Sequence, residues 1–233
     1  TDLSKLNNNI KLIFSQNNGY ASGINLARTK VTTKYFFVLN PDIQKISDKL
    51  ISIFFLSAKE LKDNFGALGP RFENVNEKSH KQSNINEKYG KIESISGAAM
   101  FFCTEIFDKN GGFDENFFLY FEETDYCNRS NKNNFKVYQI NSQKVCHDTG
   151  TSVETFSEEE SYKLKKLFRW HFIWSKFYFY KKKYGKLISL MIFTPQFLRL
   201  IFRISLYTLN SNKEMREKYL IRYNGLMTSV KGK

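Results

Sequence analysis

The chain has 233 residues, of which 41% are hydrophobic and 25% charged, which is enough for one α/β domain with a sizeable core plus an appendage. Its three cysteines form no C-x-x-C pair, and their odd number argues against a disulfide framework. The first residues are polar, which predicts no signal peptide. A reducing cytoplasm therefore fits best. The net charge of +13 belongs to the C-terminal third, because 17 basic and two acidic residues lie after residue 160; such a charge indicates an anionic surface, either membrane or nucleic acid.

Short apolar runs between turn residues predict alternating strands and helices over the first part of the chain. Residues 10–15 are expected to form a strand and 24–30 a short helix. Residues 35–39 are all apolar, which is typical of a strand buried on both faces. Helical spacing of apolar residues covers 46–62, and a further strand is expected at 65–71.

The same alternation continues after a polar loop at 73–91. Residues 92–103 contain Ser-Gly-Ala-Ala followed by an apolar strand, and further strands are expected at 136–140 and 144–147. This order predicts an α/β fold with a mainly parallel sheet flanked by helices. Ligands of such sheets bind at the carboxyl ends of the strands.

Only helices are expected in the C-terminal part. Ser157 followed by Glu160 is typical of a helix N-cap. The apolar run 187–209 is interrupted by Pro195 and two arginines, which favours an interfacial amphipathic helix over one that spans a membrane. Two other interpretations remain open: an ordinary packed helix with a solvated basic face, and a nucleic-acid surface, for which no recognised motif is present.

The stretch 111–129 is the strongest candidate for chemistry. It sets five carboxylates among apolar and aromatic residues: Asp114, Glu115, Glu122, Glu123 and Asp125. Carboxylates in an apolar wall tend to have perturbed pKa values, which suits proton transfer. The three acids from residue 122 onward could instead simply cap and solvate a helix that begins there.

Two other groups of residues are candidates for ligand binding. Asp42 follows a predicted strand and Pro41, which restricts the backbone and helps to fix the direction of the Asp42 side chain. Together with His147 it offers oxygen and nitrogen ligands acceptable to Mn²⁺ or Mg²⁺. Taken alone, residues 40–42 fit a plain turn between strand and helix better than a metal site, since Asn, Pro and Asp are all turn residues. The loop 17–25 is glycine-containing and enters a helix, where backbone amides could hold phosphate or a sugar, although an ordinary loop is an equal alternative.

Together these motifs resemble family 2 glycosyltransferases of the GT-A fold, and most of all their rhamnosyltransferase-like branch. The resemblance covers residues 1–155 in order and rests on N-x-G-Y-A-x-G-x-N (17–25), L-N-P-D (39–42), G-P-R (69–71), S-G-A-A-M (96–100), G-G-F-D-E-x-F-F-L-Y-F-E-E-x-D-x-C-x-R (111–129) and V-x-H-D-T-G-T-S (145–152). It implies a GT-A-like domain over 1–155 and a basic helical extension over 156–233.

The resemblance also implies roles for individual residues. Asp42 and His147 match the metal ligands, and Glu123, paired with Glu122, falls where the family has its catalytic base; Asp125 is the alternative base. The donor side is assigned to Asp2, Asn17, Gly19, Gly23, Asn25 and Asn40. The acceptor side is assigned to Gly97, Ala98, Asp114 and Glu115.

The family's nucleotide-binding opening has no counterpart here, and Asp2 matches only its last motif, so the chain is expected to be N-terminally truncated. The resemblance implies an inverting, metal-dependent transferase moving a sugar, such as rhamnose, from a nucleotide-sugar to a glycan or lipid-linked acceptor. Its expected location is the cytoplasm, at the inner leaflet of the membrane, with no nucleic acid as partner. The alternative is a catalytically impaired remnant or binding module of the same fold.

Overall fold

The computed structural model describes residues 10–73, 81–148 and 157–232. A sheet flanked by helices is followed by three long helices. In chain order the elements are α1 (Tyr20–Arg28), β1 (Tyr35–Leu39), β2 (Ile43–Gln44), α2 (Leu50–Glu60), β3 (Ala67–Phe72), β4 (Tyr89–Lys91), β5 (Ala99–Cys103), α3 (Thr104–Lys109), α4 (Glu122–Lys132), β6 (Val137–His147), α5 (Glu158–Tyr184), α6 (Lys186–Leu209) and α7 (Lys213–Lys231). The expected α/β class, with helices beside a sheet and helices at the C-terminus, is confirmed.

The sheet is mixed rather than mainly parallel, which corrects the sequence-based expectation. Its strands follow the order β1-β5-β3-β6-β2, and β4 also pairs with β6. Strand β5 runs antiparallel to both β1 and β3, and β2 and β4 run antiparallel to β6. Among the described strands, only β3 and β6 pair in parallel. A buried strand has the same apolar composition in either direction, so the pattern could not reveal this.

Strands β1, β3 and β6 nevertheless point the same way, because β5 lies between β1 and β3 and opposes both. Their carboxyl ends therefore meet at one edge of the sheet. Residues 40–42 leave β1 at this edge, and His147 ends β6 there. The topology thus brings two of the predicted motifs together.

The core lies on both faces of β5, whose five residues are all buried. Phe101 faces α2 and packs on Phe54, with ring centroids 5.6 Å apart. Phe102 points to the opposite face, where it meets Tyr126 of α4 at 5.3 Å. This alternation is the two-residue period of a strand, and it explains why helices cover both faces.

Several predicted elements differ in extent. Residues 10–15 form no strand and Phe14 is 90% exposed, because no described strand pairs with this segment. Helix α1 begins before its predicted start, α2 is shorter than expected, and β4 lies within the predicted polar loop. The two strands expected at 136–140 and 144–147 are the single strand β6, which shifts register opposite Pro70 and Arg71.

Strand β1 has the predicted bounds but not the predicted burial. It is an edge strand of the described sheet, and Leu39 is 40% exposed. A continuous apolar run therefore indicated the strand correctly but not its place in the sheet.

The three C-terminal helices pack around a core of their own, which includes Ile173, Phe177, Phe193, Leu200 and Leu226. The N-cap of α5 is confirmed, since Ser157 Oγ accepts a hydrogen bond from the Glu160 amide at 3.1 Å. Gly225 allows α7 to approach α5 closely, because a β-carbon there would lie 2.7 Å from the Trp170 carbonyl oxygen.

Helix α6 leaves most of its apolar surface uncovered. Within the described residues it is the one helix long and apolar enough to cross a membrane, judged by length and composition. Its most apolar window has a mean hydropathy of 1.5, and 17% of that window is buried. It contacts α5 and α7 through Phe193 and Leu200.

Helix α5 is attached to the segment that precedes α4. His171 stacks on Phe118 with ring centroids 4.6 Å apart. Ser175 Oγ donates a hydrogen bond to the Leu119 carbonyl at 2.7 Å, and Lys182 pairs with Asp114. The aromatic residues at the centre of the 111–129 stretch thus pack against α5, which explains their density in the sequence: Phe117, Phe118, Tyr120 and Phe121.

Candidate functional site

The predicted metal ligands are neighbours in space. Strand β2 pairs with the end of β6, placing Ile43 opposite His147. His147 Nε2 consequently lies 3.2 Å from Asp42 Oδ1. The Asp42 side chain is 2% exposed and that of His147 17%, so the pair is set into the edge of the sheet and remains reachable from one side.

A tyrosine that the sequence analysis did not single out joins this edge to the acidic segment. The Tyr20 hydroxyl donates to the Gly97 carbonyl at 2.8 Å and lies 3.2 Å from Asn40 Oδ1. The Asn40 amide in turn donates to the Ala98 carbonyl at 2.8 Å. Tyr20 belongs to the Asn-x-Gly-Tyr motif, which was the available signal; a polar tip on a buried ring needs such partners.

Three acidic side chains act on the Tyr20 phenol. Burial raises the pKa of Tyr20, and the negative charges of Glu122, Glu123 and Asp42 raise it further, in that order. Tyr20 therefore stays protonated and acts as a hydrogen-bond donor. The Asp42 edge and the glutamate pair therefore both lie near Tyr20, and the region around this side chain is called the cleft below.

Glu122, which is buried, and Glu123, which is partly buried, form a carboxyl pair at the start of α4. Burial, and then the charge of Glu123, raise the pKa of Glu122 to about 9. Burial also raises the pKa of Glu123, whose carboxyl accepts a hydrogen bond from Thr124 Oγ1 at 3.2 Å. Neither carboxyl has a cationic partner within the described residues. The pair therefore retains a proton near neutral pH, as closely spaced acids do.

The backbone before this pair is unusual. Tyr120 and Phe121 both adopt left-handed conformations, with φ of 68° and 70°. Such angles are costly for residues other than glycine and need support from packing. The rings supply it, since Tyr120 lies 5.5 Å from Phe172 and Phe121 lies 5.8 Å from Phe179. This turn directs the first residues of α4 into the cleft.

Gly97 lies between the tyrosine and the pair. A β-carbon added there would lie 3.6 Å from Glu123 Cβ and 3.7 Å from Tyr20 Cε1. Ala98 is buried beside it. The structure thus brings together Tyr20, Asn40, Asp42, Gly97, Ala98, Glu122, Glu123 and His147, although an acceptor role for Gly97 and Ala98 stays a prediction.

Asp125 and Asp114 lie in a different environment from the pair. Asp125 accepts a hydrogen bond from Arg129 Nε at 2.8 Å and pairs with Lys182 Nζ at 2.9 Å. Asp114 pairs with the same Lys182 at 2.5 Å, and its pKa is lowered by that amine despite the opposing effect of burial. Two cations beside a 2% exposed carboxylate make Asp125 unsuited as a base, which corrects its alternative assignment. Asp114 likewise serves the attachment of α5 rather than an acceptor surface.

The glycine loop is held by the protein itself. Gly19 has a φ of 99°, and a β-carbon there would lie 2.4 Å from the Phe118 carbonyl oxygen. The Gly19 amide donates to Asn17 Oδ1 at 3.2 Å, and the Tyr20 amide donates to the Phe118 carbonyl at 2.8 Å. These amides are therefore engaged, contrary to the expectation of a phosphate cradle.

The remaining residues predicted for the donor and acceptor sides either form hydrogen bonds within the protein, face open space or lie outside the described residues. Asn25 Nδ2 donates to Glu115 Oε1 and to the Phe113 carbonyl, both at 2.9 Å, which ties α1 to the segment before α4. Asn25 and Glu115 thus satisfy each other. Gly23 faces open space. Asp2 and residues 149–152 of the late motif lie outside the described residues.

The donor atoms of Asp42 and His147 suit a divalent cation in type, since a carboxylate oxygen and an imidazole nitrogen are 3.2 Å apart. The described residues contain no group of three or more His, Cys, Asp or Glu arranged to hold a metal. Two protein ligands fit Mg²⁺ or Mn²⁺ when substrate phosphates and water complete the shell.

Known proteins offer one informative match. No family model matches the chain. Over 187 residues it is 23% identical to the low-salt glycan biosynthesis hexosyltransferase Agl10 of Haloferax volcanii, a match that covers 71% of this chain and 59% of that protein. The chain therefore spans about three fifths of the length of this relative. Its sequence is similar to that of a transferase of glycan biosynthesis.

Among solved structures, the chain is similar to residues 1–349 of S. aureus TarS in complex with UDP. The TM-score is 0.45 at 11% sequence identity, and the match covers 94% of this chain and 72% of the TarS chain.

Proposed function

We propose that this chain is an inverting glycosyltransferase that moves a sugar from a nucleotide-sugar to a glycan or lipid-linked glycan acceptor during glycan biosynthesis. The observation that carries the proposal is the geometry around Tyr20: its hydroxyl contacts Asn40, two residues before Asp42, and the carbonyl of Gly97, which lies against Glu123. The similarity to a hexosyltransferase supports the reaction class. A rhamnosyl donor and membership of family 2 are the finer parts of the proposal and rest on the motif resemblance.

Glu123 is the proposed general base and Glu122 its partner. The acceptor hydroxyl oxygen bonds to the anomeric carbon while the bond from that carbon to the diphosphate oxygen breaks. The hydroxyl proton passes to the Glu123 carboxylate, and the diphosphate leaves with the bonding electrons. A base whose pKa is raised by burial toward the working pH is suited to this step, because it binds the proton well and still ionises.

Tyr20 and Asn40 are proposed to position the cleft. Their hydrogen bonds hold the 97–98 backbone beside Glu123, which limits where an acceptor can enter. Asp42 and His147 would hold Mn²⁺ or Mg²⁺. When bound, such a cation supplies Lewis-acid stabilisation of the diphosphate leaving group.

The proposed location is the cytoplasmic face of a membrane, to which the chain binds peripherally. Helix α6 is packed against α5 and α7, both of which carry many basic side chains. Insertion of α6 across the bilayer would draw those charges toward hydrocarbon, so a surface orientation is favoured. Three free, buried cysteines are consistent with a reducing compartment.

A donor screen tests the reaction class. The purified chain is incubated with uridine, guanosine and thymidine diphosphate sugars, Mn²⁺ and a membrane lipid extract as acceptor, and released nucleoside diphosphate is measured. We expect release with one donor class, dependent on the extract and abolished by a chelator. Tight donor binding without release would contradict the proposal and favour the catalytically impaired alternative.

A further inference from the structure

A second concave site lies outside the proposed catalytic cleft. It is a cavity of about 810 Å³ between α5, α6 and α7, and Tyr120 also lines it. Four basic side chains project from the three helices around it: Arg169, Lys176, Arg199 and Arg222. Its other walls are largely aromatic or apolar, and no acidic residue lines it.

No carboxylate in the described part of the chain neutralises these four cations. Among the described residues, none of them forms an ion pair with a carboxylate. Lys176 Nζ lies 5.8 Å from the centre of the Phe193 ring, and Arg222 Cζ lies 6.0 Å from the centre of the Tyr219 ring. Gathering four like charges without partners is unfavourable unless an anion offsets their repulsion. The cavity therefore has the charge pattern of an anion site.

An apolar stripe borders the cavity along α6. Arg199, Pro195 and Gln196 of this helix line the cavity, while the adjoining face carries large apolar side chains that are each more than half exposed: Leu187 at 78%, Met191 at 66%, Leu198 at 58%, Phe202 at 63% and Leu209 at 82%. Their spacing places them on one side of the helix. Cations beside such a stripe are typical of a surface that meets lipid head groups and chains together.

We propose that this cavity binds the phosphate head group of a membrane lipid carrying a phosphomonoester or diphosphate, with the lipid chains along the α6 stripe. Arginine guanidinium groups from α5, α6 and α7 match phosphate oxygens in bidentate geometry. A free phosphate would use the cations but leave the stripe uncovered. Tyr120 lines the cavity and lies two residues before Glu122, so the bound lipid would lie near the proposed catalytic pair. The relation to catalysis rests on the proposed function, whereas lipid binding does not.

Vesicle flotation without any sugar donor tests the binding. Phosphatidylcholine vesicles carry either phosphatidic acid, a phosphomonoester, or phosphatidylglycerol, a phosphodiester, at equal surface charge. We expect the chain to bind phosphatidic acid vesicles at least about tenfold more tightly. The double variant Arg199→Gln/Arg222→Gln should lose that preference. The charge-matched control Lys165→Gln/Lys213→Gln, outside the cavity, should retain it.

Two outcomes would overturn the proposal. Equal binding to both lipids, or equal losses in the two double variants, would reduce the effect to general surface charge. Displacement of the chain from vesicles by inorganic phosphate at the concentration of the lipid phosphate would show that the stripe adds nothing. Since flotation involves no transfer reaction, the lipid site and the proposed enzyme activity fail independently.

Discussion

The proposed catalytic cleft and the C-terminal cavity have opposite charge patterns. In the cleft, Glu122 and Glu123 are acids without a cationic partner in the described chain, and their pKa values are raised. In the cavity, four basic side chains line a space without acids. Lys182 of α5 pairs with Asp114, in the segment before α4, and with Asp125 of α4. These two ion pairs, called the joint here, attach α5 to the part of the chain that carries the glutamate pair. The glutamate pair and the cavity thus each lack groups of opposite charge among the described residues, whereas the carboxylates of the joint are paired with cations.

The largest expected effect is the loss of turnover when Glu123 is replaced. Glu123→Gln removes the proposed base without changing side-chain length, so turnover should fall about 100- to 10,000-fold while the fold persists. Nucleoside diphosphate release measures the turnover, and circular dichroism checks that the fold persists. Glu105→Gln, an exposed glutamate of α3, is the control and should retain activity. Unchanged turnover of Glu123→Gln would refute the assignment.

The next largest effect is expected on stability, when the ion pairs of Lys182 with Asp114 and Asp125 are removed. Lys182→Met leaves Arg129 as the cationic partner of the buried Asp125 and removes the cationic partner of Asp114, so stability should fall by about 1–3 kcal/mol. Urea unfolding measures this change. Lys186→Met, at the exposed start of α6, is the matched control and should change stability little. Equal losses in both variants would mean that the ion pairs contribute nothing.

The charge state of Glu122 predicts a pH-dependent effect. Its folded pKa of about 9 is above the ordinary value of 4.5, so ionisation destabilises the folded state progressively as the pH rises between these values. Glu122→Gln removes this cost and should stabilise the fold at pH 8 by at least about 1 kcal/mol. At pH 4 the gain should vanish. Thermal unfolding at the two pH values checks this, and a gain that is equal at both would contradict it.

The smallest effect concerns the tyrosine that links the two halves of the cleft. Tyr20→Phe removes the hydrogen bond to the Gly97 carbonyl and should cost about 1 kcal/mol in urea unfolding. Tyr184→Phe, whose ring is 42% exposed, is the control. A loss no larger than that of the control would show that the Tyr20 hydroxyl does not hold the cleft together.

The sequence predicted features that depend on local chemistry. The bounds of β1 followed from five consecutive apolar residues, and the Ser157 cap followed from a hydroxyl three residues before Glu160. Asp42 and His147 were predicted to be neighbours and lie 3.2 Å apart, because the strands that carry them end at one edge of the sheet. Their binding of a metal stays a prediction.

Features that depend on distant partners were missed. The direction of β5 is fixed by its neighbours, and the segment 10–15 lacks a pairing strand in the described chain. Asp125 and Glu123 are both acids in the same largely apolar stretch, so the sequence does not distinguish them. Only Asp125 of these two pairs with Lys182, which lies 57 residues after it in the chain. Tyr20 was overlooked because its partners come from β1, the 97–98 segment and α4.

The left-handed turn at Tyr120 and Phe121 has a consequence for protein engineering. The rings that stabilise this turn pack on Phe172 and Phe179 of α5, so the backbone in front of Glu122 depends on a helix that begins only at residue 158. A chimera that exchanged the C-terminal helices at the loop after β6 would lose this support. Modular shuffling of the two parts therefore requires carrying α5 along with its aromatic face, or redesigning both sides of the contact together.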